Sequence, residues 1–213
     1  MPSQESYRDA LLRVINEVVA PGAAEVDAAA KFPRVQVDAL AAAGILGLTV
    51  PVEYGGGGAG LRAAAEVARE LGSVCASTAM VVTMHYAAVA ALTAAGDKET
   101  LAAVAAGTHL STLAFSETGS RSHFWVPLST AAVSDDRATV RLDASKSWVT
   151  SAGHANSYVW SSRPVSADGL MTLWHVPASA DGLTVEGPFD GLGCAATPPP
   201  RCPPPASASR SPR

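Results

Sequence analysis

The chain has 213 residues, of which 48% are apolar and 16% charged, enough material for one domain or two small ones. Its formal net charge of −4 argues against nonspecific nucleic-acid binding. Arg201, Arg210 and Arg213 are the only charges after Asp190, so the first 190 residues carry seven excess negative charges; an anionic ligand would need locally placed donors rather than a basic surface.

From Gln4 to Ala20, residues Leu11, Leu12, Ile15, Val18 and Val19 recur at helical spacing, and Pro21 is expected to stop the pattern. A short Ala-rich helix is expected over Ala23–Ala30. The next starts near Pro33, carries Val37, Leu40 and Ala41 on one face and ends at Gly44. Residues 45–51 read as an apolar extended segment entering Glu53-Tyr-Gly-Gly-Gly-Gly-Ala-Gly. Four glycines without a preceding βαβ pattern and a basic residue are a weak phosphate-binding signal, and a flexible loop is the favoured reading. Leu61–Gly72 reads as an amphipathic helix and Ser77–Ala95 as a nearly all-apolar one, buried on most of its circumference. His85, inside the latter, has no Ser, Cys or acid spaced to work with it, so a core or pocket-wall histidine is expected. Asp97 reads as the N-cap of a helix through Ala105, with Glu99 in its first turn.

After Gly107 the pattern changes to alternating Val, Thr, Ser and Leu. Strands are expected near 111–116, 128–134, 137–142, 146–150, 157–163, 170–176 and 183–187, the spacing of a barrel or sandwich. The fold class is therefore α+β: an all-α domain over 1–110 followed by a partial β-barrel over 111–193. Seven prolines follow Gly193 with no acidic residue and no apolar periodicity, so 194–213 is expected to be a disordered Pro-rich tail. Cys75, Cys194 and Cys202 show no metal spacing, and neither do His85, His109, His123, His154 and His175, so no metal site is expected. No N-terminal stretch resembles a signal peptide and no charge-free run is read as a membrane span; a soluble, cytoplasmic protein is expected.

The chemistry concentrates between Leu113 and Gly153. This stretch opens with Leu113-Ala-Phe-Ser-Glu-Thr-Gly-Ser-Arg-Ser-His and closes with Ser145-Lys-Ser-Trp-Val-Thr-Ser-Ala-Gly. Each half runs from an apolar strand into small, hydroxylated, Gly-containing backbone, whose clustered N–H groups favour an anion such as a phosphate. Alternation places Lys146, Trp148 and Thr150 on one face of a strand. An indole beside a hydroxyl suits a planar heteroaromatic ring with polar edges, the shape of a flavin.

At these residues the chain resembles the acyl-CoA dehydrogenase family. Ser116-Glu-Thr-Gly-Ser-Arg-Ser-His is similar to that family's Thr-Glu-Pro-Gly-x-Gly-Ser-Asp segment, and Lys146-Ser-Trp-Val-Thr-Ser-Ala-Gly to its Lys-x-Trp-Ile-Thr-Asn-Gly segment. The resemblance covers residues 5–193, the helical and middle β domains of a family member, and implies a truncated homologue without the C-terminal helical domain. It places the glycine loop between early helices, near the substrate entrance. Codons for Leu-Arg-Gly-Asn-Ala-Ser-Ala-Pro, a sequence of the kind found here in the family, give Cys194 to Arg201 when read one base late; a shifted reading frame is the favoured origin of the tail.

The resemblance implies FAD as cofactor, an acyl-CoA or other acyl thioester as substrate, an acceptor like electron-transfer flavoprotein, and a homo-oligomer in intact members. The implied reaction is α,β-dehydrogenation, in which a carboxylate takes the α-proton and the flavin takes the β-hydrogen as hydride. Carried over by position, Leu113 and Phe115 line the flavin and acyl site, Ser116 bonds the pyrimidine edge, Ser122 holds a pyrophosphate, Trp148 packs on the isoalloxazine and Thr150 approaches N5. Arg121, where the family has Gly, offers a guanidinium to a cofactor or substrate phosphate. The family's base, a Glu, belongs to the C-terminal domain; Glu117 is expected to be structural, no catalytic residue is assigned, and little activity is expected. The alternatives are a flavin-dependent monooxygenase of the same fold and a non-catalytic remnant or interaction module. Against the flavin-site roles stands the reading of Trp148 and Phe115 as ordinary core aromatics.

Overall fold

The structure, a computed structural model, describes residues 5–120, 123–136, 138–165, 169–185 and the backbone of 206–209. These separate into a helical unit ending at Leu110 and a β unit beginning at Ser111.

The helical unit opens with α1 (Tyr7–Val14), capped by Ser6, whose hydroxyl accepts from the Asp9 amide at 3.2 Å. Pro21 does not stop the chain there. Ile15–Val19 forms a π-helical turn in which the Ala20 N–H donates to Ile15 O, and Pro21 then falls in the first turn of α2 (Ala20–Ala28), where its missing N–H is not needed. Helices α3 (Arg34–Ala42), α4 (Leu61–Gly72), α5 (Ala76–Ala95) and α6 (Lys98–Ala105) lie close to their expected spans, and Gly44 at φ +74° follows α3. Leu11, Val19, Val37, Leu40, Val67, Leu71, Val81 and Val82 share one core. Helix α5 corrects one expectation: it is 20 residues long and apolar enough to cross a membrane. Half of its most apolar window is buried inside the helical unit, as its role of core helix requires.

Residues 45–51 are not extended. Ile45, Leu46, Leu48 and Val50 are buried in consecutive turns, followed by a 3-10 turn over Val52–Tyr54. The glycine loop folds back on these turns: Gly56 N donates to Pro51 O, Gly57 N to Gly47 O, Gly58 N to Val50 O and Ala59 N to Leu48 O, at 2.8–3.3 Å. Its amides are thus spent inside the loop, which removes the physical basis for a phosphate cradle. His85 is fully buried with Nε2 3.2 Å from Leu46 O, a core histidine. Cys75 is a free, buried thiol 3.2 Å from the Thr78 hydroxyl; Cys194 and Cys202 lie outside the described residues.

The β unit holds two three-stranded sheets. In one, β4 (Ser157–Ser162) is central, parallel to β1 (Ser111–Ala114) and antiparallel to β5 (Thr172–Pro177). In the other, β3 (Thr139–Asp143) is flanked antiparallel by β2 (Thr130–Val133) and β6 (Ala206–Ser209). All six residues of β4 are buried, and Ala114, Val140, Leu142, Val149, Tyr158, Trp160, Trp174 and Val176 form the core. Strand β6 falls in the stretch expected to be a disordered tail; its four residues complete a ladder instead. The expected strands over 146–150 and 183–187 do not form among the described residues: the first holds an isolated bridge at Lys146 followed by a bend and a turn, and Leu183–Val185 is irregular.

Candidate functional site

The loop after β1 and the loop between β3 and β4 carry the two motifs, and the structure joins them. The Ser147 N–H donates to Ser116 O at 2.8 Å, and Glu117 forms an isolated antiparallel bridge with Lys146. Behind this bridge the Lys146 ammonium lies 2.5 Å from Glu117 Oε1, with both side chains almost wholly buried (1% and 3% exposed). Lys146 Nζ also reaches Ser161 O at 2.7 Å, Ser161 Oγ at 2.9 Å and Ser129 Oγ at 3.1 Å. Glu117 accepts from the amides of Leu128 and Ser129 and from the Ser129 hydroxyl. Burial works against both charges. It pulls the lysine down to about 8 despite the carboxylate beside it, whereas in Glu117 the bonds from Lys146 and Ser129 overcome burial and hold the carboxyl below its usual range.

This network corrects the expected shared face of Lys146, Trp148 and Thr150. Lys146 is drawn inward, Thr150 is buried, and Trp148 is 68% exposed. The reversal has a backbone cause: Trp148 takes φ +59° and Ser151 φ +63°, left-handed conformations that break strand alternation. Trp148 is therefore no core aromatic, in contrast with Trp160 and Trp174, which are buried in the β core. The Ser151 hydroxyl is buried with no hydrogen-bond partner among the described residues.

Leu113 lies half-buried in β1 opposite Val159. Phe115 and Ser116 are half-buried just beyond the strand. The Phe115 ring stacks on Phe124 (6.5 Å, 19°), Phe124 meets Trp125 edge-on (4.9 Å, 85°), and His123 lies 5.1 Å from Trp125. Arg121 and Ser122 lie outside the described residues. The structure thus brings Ser116, Trp148 and Thr150 onto two loops tied together. Sequence reasoning missed the partners that tie them, Ser129 and Ser161. Only the presence of one acid and one lysine, each opening a motif, signalled the pair.

Two family models account for nearly all of the folded chain: the acyl-CoA dehydrogenase N-terminal domain over residues 1–108 and the middle domain over 112–201. The chain belongs to the acyl-CoA dehydrogenase family. The mitochondrial short-chain specific acyl-CoA dehydrogenase of Homo sapiens is 29% identical over 181 residues, covering 81% of this chain and 43% of the relative. Bacillus subtilis (strain 168) YngJ, named a probable acyl-CoA dehydrogenase, is 27% identical over 202 residues, covering 89% and 52%. The chain spans about half the length of the curated relatives it matches. Among solved structures, butyryl-CoA dehydrogenase of Megasphaera elsdenii superposes with a TM-score of 0.79 at 20% identity, covering 99% of this chain and 57% of that one. KijD3, solved with FMN and a dTDP-linked amino sugar, gives 0.77 at 24% identity, covering 99% and 56%.

A flavin fits the residues this acyl-CoA dehydrogenase homologue places on its two loops. An exposed indole held in left-handed backbone offers a flat apolar face; Thr150 follows it two residues later, and Ser116 is joined to the residue before it by the Ser147–Ser116 bond.

Proposed function

We propose that the β unit binds FAD and that the chain's lineage activity is oxidation of a CH–CH bond in an acyl-CoA thioester. The observation that carries this reading is Trp148: a large aromatic, mostly exposed, in a conformation that costs stability, on a loop locked to the other motif. When bound, FAD supplies the redox chemistry. The chain's own residues bind and orient: Trp148 covers a ring face, Ser116 and Thr150 donate toward polar edges, and Leu113 and Phe115 form the apolar wall.

Glu117 does not act as the α-proton base. Its carboxylate is taken up by Lys146, Ser129 and the Leu128 amide, and its pKa is lowered, the wrong direction for a base working near neutrality. The 213-residue polypeptide by itself is therefore expected to hold FAD and to reduce it slowly, if at all, with an acyl-CoA ester. The visible spectrum of the purified chain reconstituted with FAD, before and after anaerobic addition of acyl-CoA esters of different length, tests both halves. A bound-flavin spectrum unchanged by esters is the expected result; absence of bound FAD in a folded chain refutes the cofactor reading, and rapid bleaching refutes the slow-turnover reading.

A further inference from the structure

We propose that Glu117 and Lys146 are positioning residues, whose buried ion pair clamps the two motif loops so that Trp148 is presented to the flavin. The inference rests on the flavin reading above and goes beyond it. Burying two charges is expensive, and replacing such a pair by apolar groups is often neutral or stabilising. What this pair contacts is loop backbone. The Glu117 carboxylate takes the amides of Leu128 and Ser129 and so ties the chain just after Phe124 and Trp125 to the first motif. Lys146 is pinned to Ser161 of β4, and two residues later the chain turns left-handed at Trp148.

Trp148, at 68% exposure, is not seated in the core. The backbone that carries it runs between two anchors, Lys146 on one side and buried Val149 on the other. The Ser147–Ser116 bond registers that turn against the first motif. Loosening the pair frees both loops at once, whereas the β4–β5 ladder has its own bonds and core.

Amide hydrogen exchange on the cofactor-free 213-residue chain, wild type against Lys146→Met and Glu117→Gln, tests the clamp. The amides of Leu128, Ser129 and Ser147 are expected to exchange at least about tenfold faster in Lys146→Met and about threefold faster in the milder Glu117→Gln, in which the β4–β5 ladder stays unchanged. Unchanged loop amides in both variants overturn the proposal. So does acceleration of the ladder by the same factor in Glu117→Gln, which would make the pair a general support of the unit.

FAD titration is the second readout, followed by flavin fluorescence, which a stacked indole quenches. Affinity at least about tenfold weaker, with quenching lost as in Trp148→Leu, is expected for Lys146→Met. Looser loops with wild-type affinity and quenching overturn the positioning role. A wild-type chain that takes up no FAD refutes the flavin reading, and the exchange comparison still decides the clamp.

Discussion

A left-handed backbone costs an L-residue with a Cβ about 1–2 kcal/mol, and Trp148 bears that cost while recovering little by burial. Trp148→Gly is therefore expected to stabilise the cofactor-free chain by about 1 kcal/mol in denaturant unfolding while losing FAD affinity. A loss of stability would instead return Trp148 to a packing role. The buried pair behaves oppositely: removing one partner strands a charge, so Glu117→Ala is expected to destabilise by about 3–5 kcal/mol. The pair also sets pH limits. Glu117 titrates lower in the folded than in the unfolded chain, so its stabilisation is present above about pH 4.5 and is lost as pH falls through the folded value. Lys146 is lowered from 10.5 to about 8. Between those values the unfolded chain binds more protons, so this residue makes stability rise with pH, by up to about 1.4 kcal/mol per unit. Unfolding curves of wild type and Lys146→Met from pH 7.5 to 10.5 isolate the effect: the variant lacks the rise.

Among the elements, the helices were the most legible part. Leu61–Gly72 follows from apolar spacing and α5 from an unbroken apolar run ended by Gly96, because both signals are local. Where the reading failed, a non-local or backbone cause intervened. Pro21 is absorbed by a π-helical turn, and Lys-x-Trp-x-Thr imitates strand alternation although Glu117, 29 residues earlier in sequence, draws the lysine inward. In the candidate site, motif identity found Trp148 and Thr150, but not which of them faces solvent. The glycine loop was legible as a loop, not as a packed one. A Cβ at Gly56 would overlap the carbonyl and side chain of Val50, whereas nothing lies within 4 Å of one at Gly60. Gly56→Ala is accordingly expected to cost about 1–3 kcal/mol and Gly60→Ala close to nothing, by thermal or urea unfolding.

At the scale of the whole molecule, an acidic chain is assigned an anionic dinucleotide. On the proposed reading, the seven excess negative charges of residues 1–190 would repel the FAD pyrophosphate at long range, while recognition would be local, built from Trp148, hydroxyls and loop backbone. Salt separates these contributions. Raising ionic strength from about 0.01 M to about 0.15 M shortens the screening length from about 30 Å to about 8 Å, which removes the long-range repulsion and leaves contacts inside the loops nearly intact. The association rate of FAD, followed by stopped-flow quenching of its fluorescence, is therefore expected to rise with salt while the dissociation rate stays nearly constant. A rate that falls with salt would mean that a local cation governs approach despite the overall charge. Arg121→Ala would then identify it: the salt dependence disappears if that guanidinium steers the pyrophosphate, and persists if it does not.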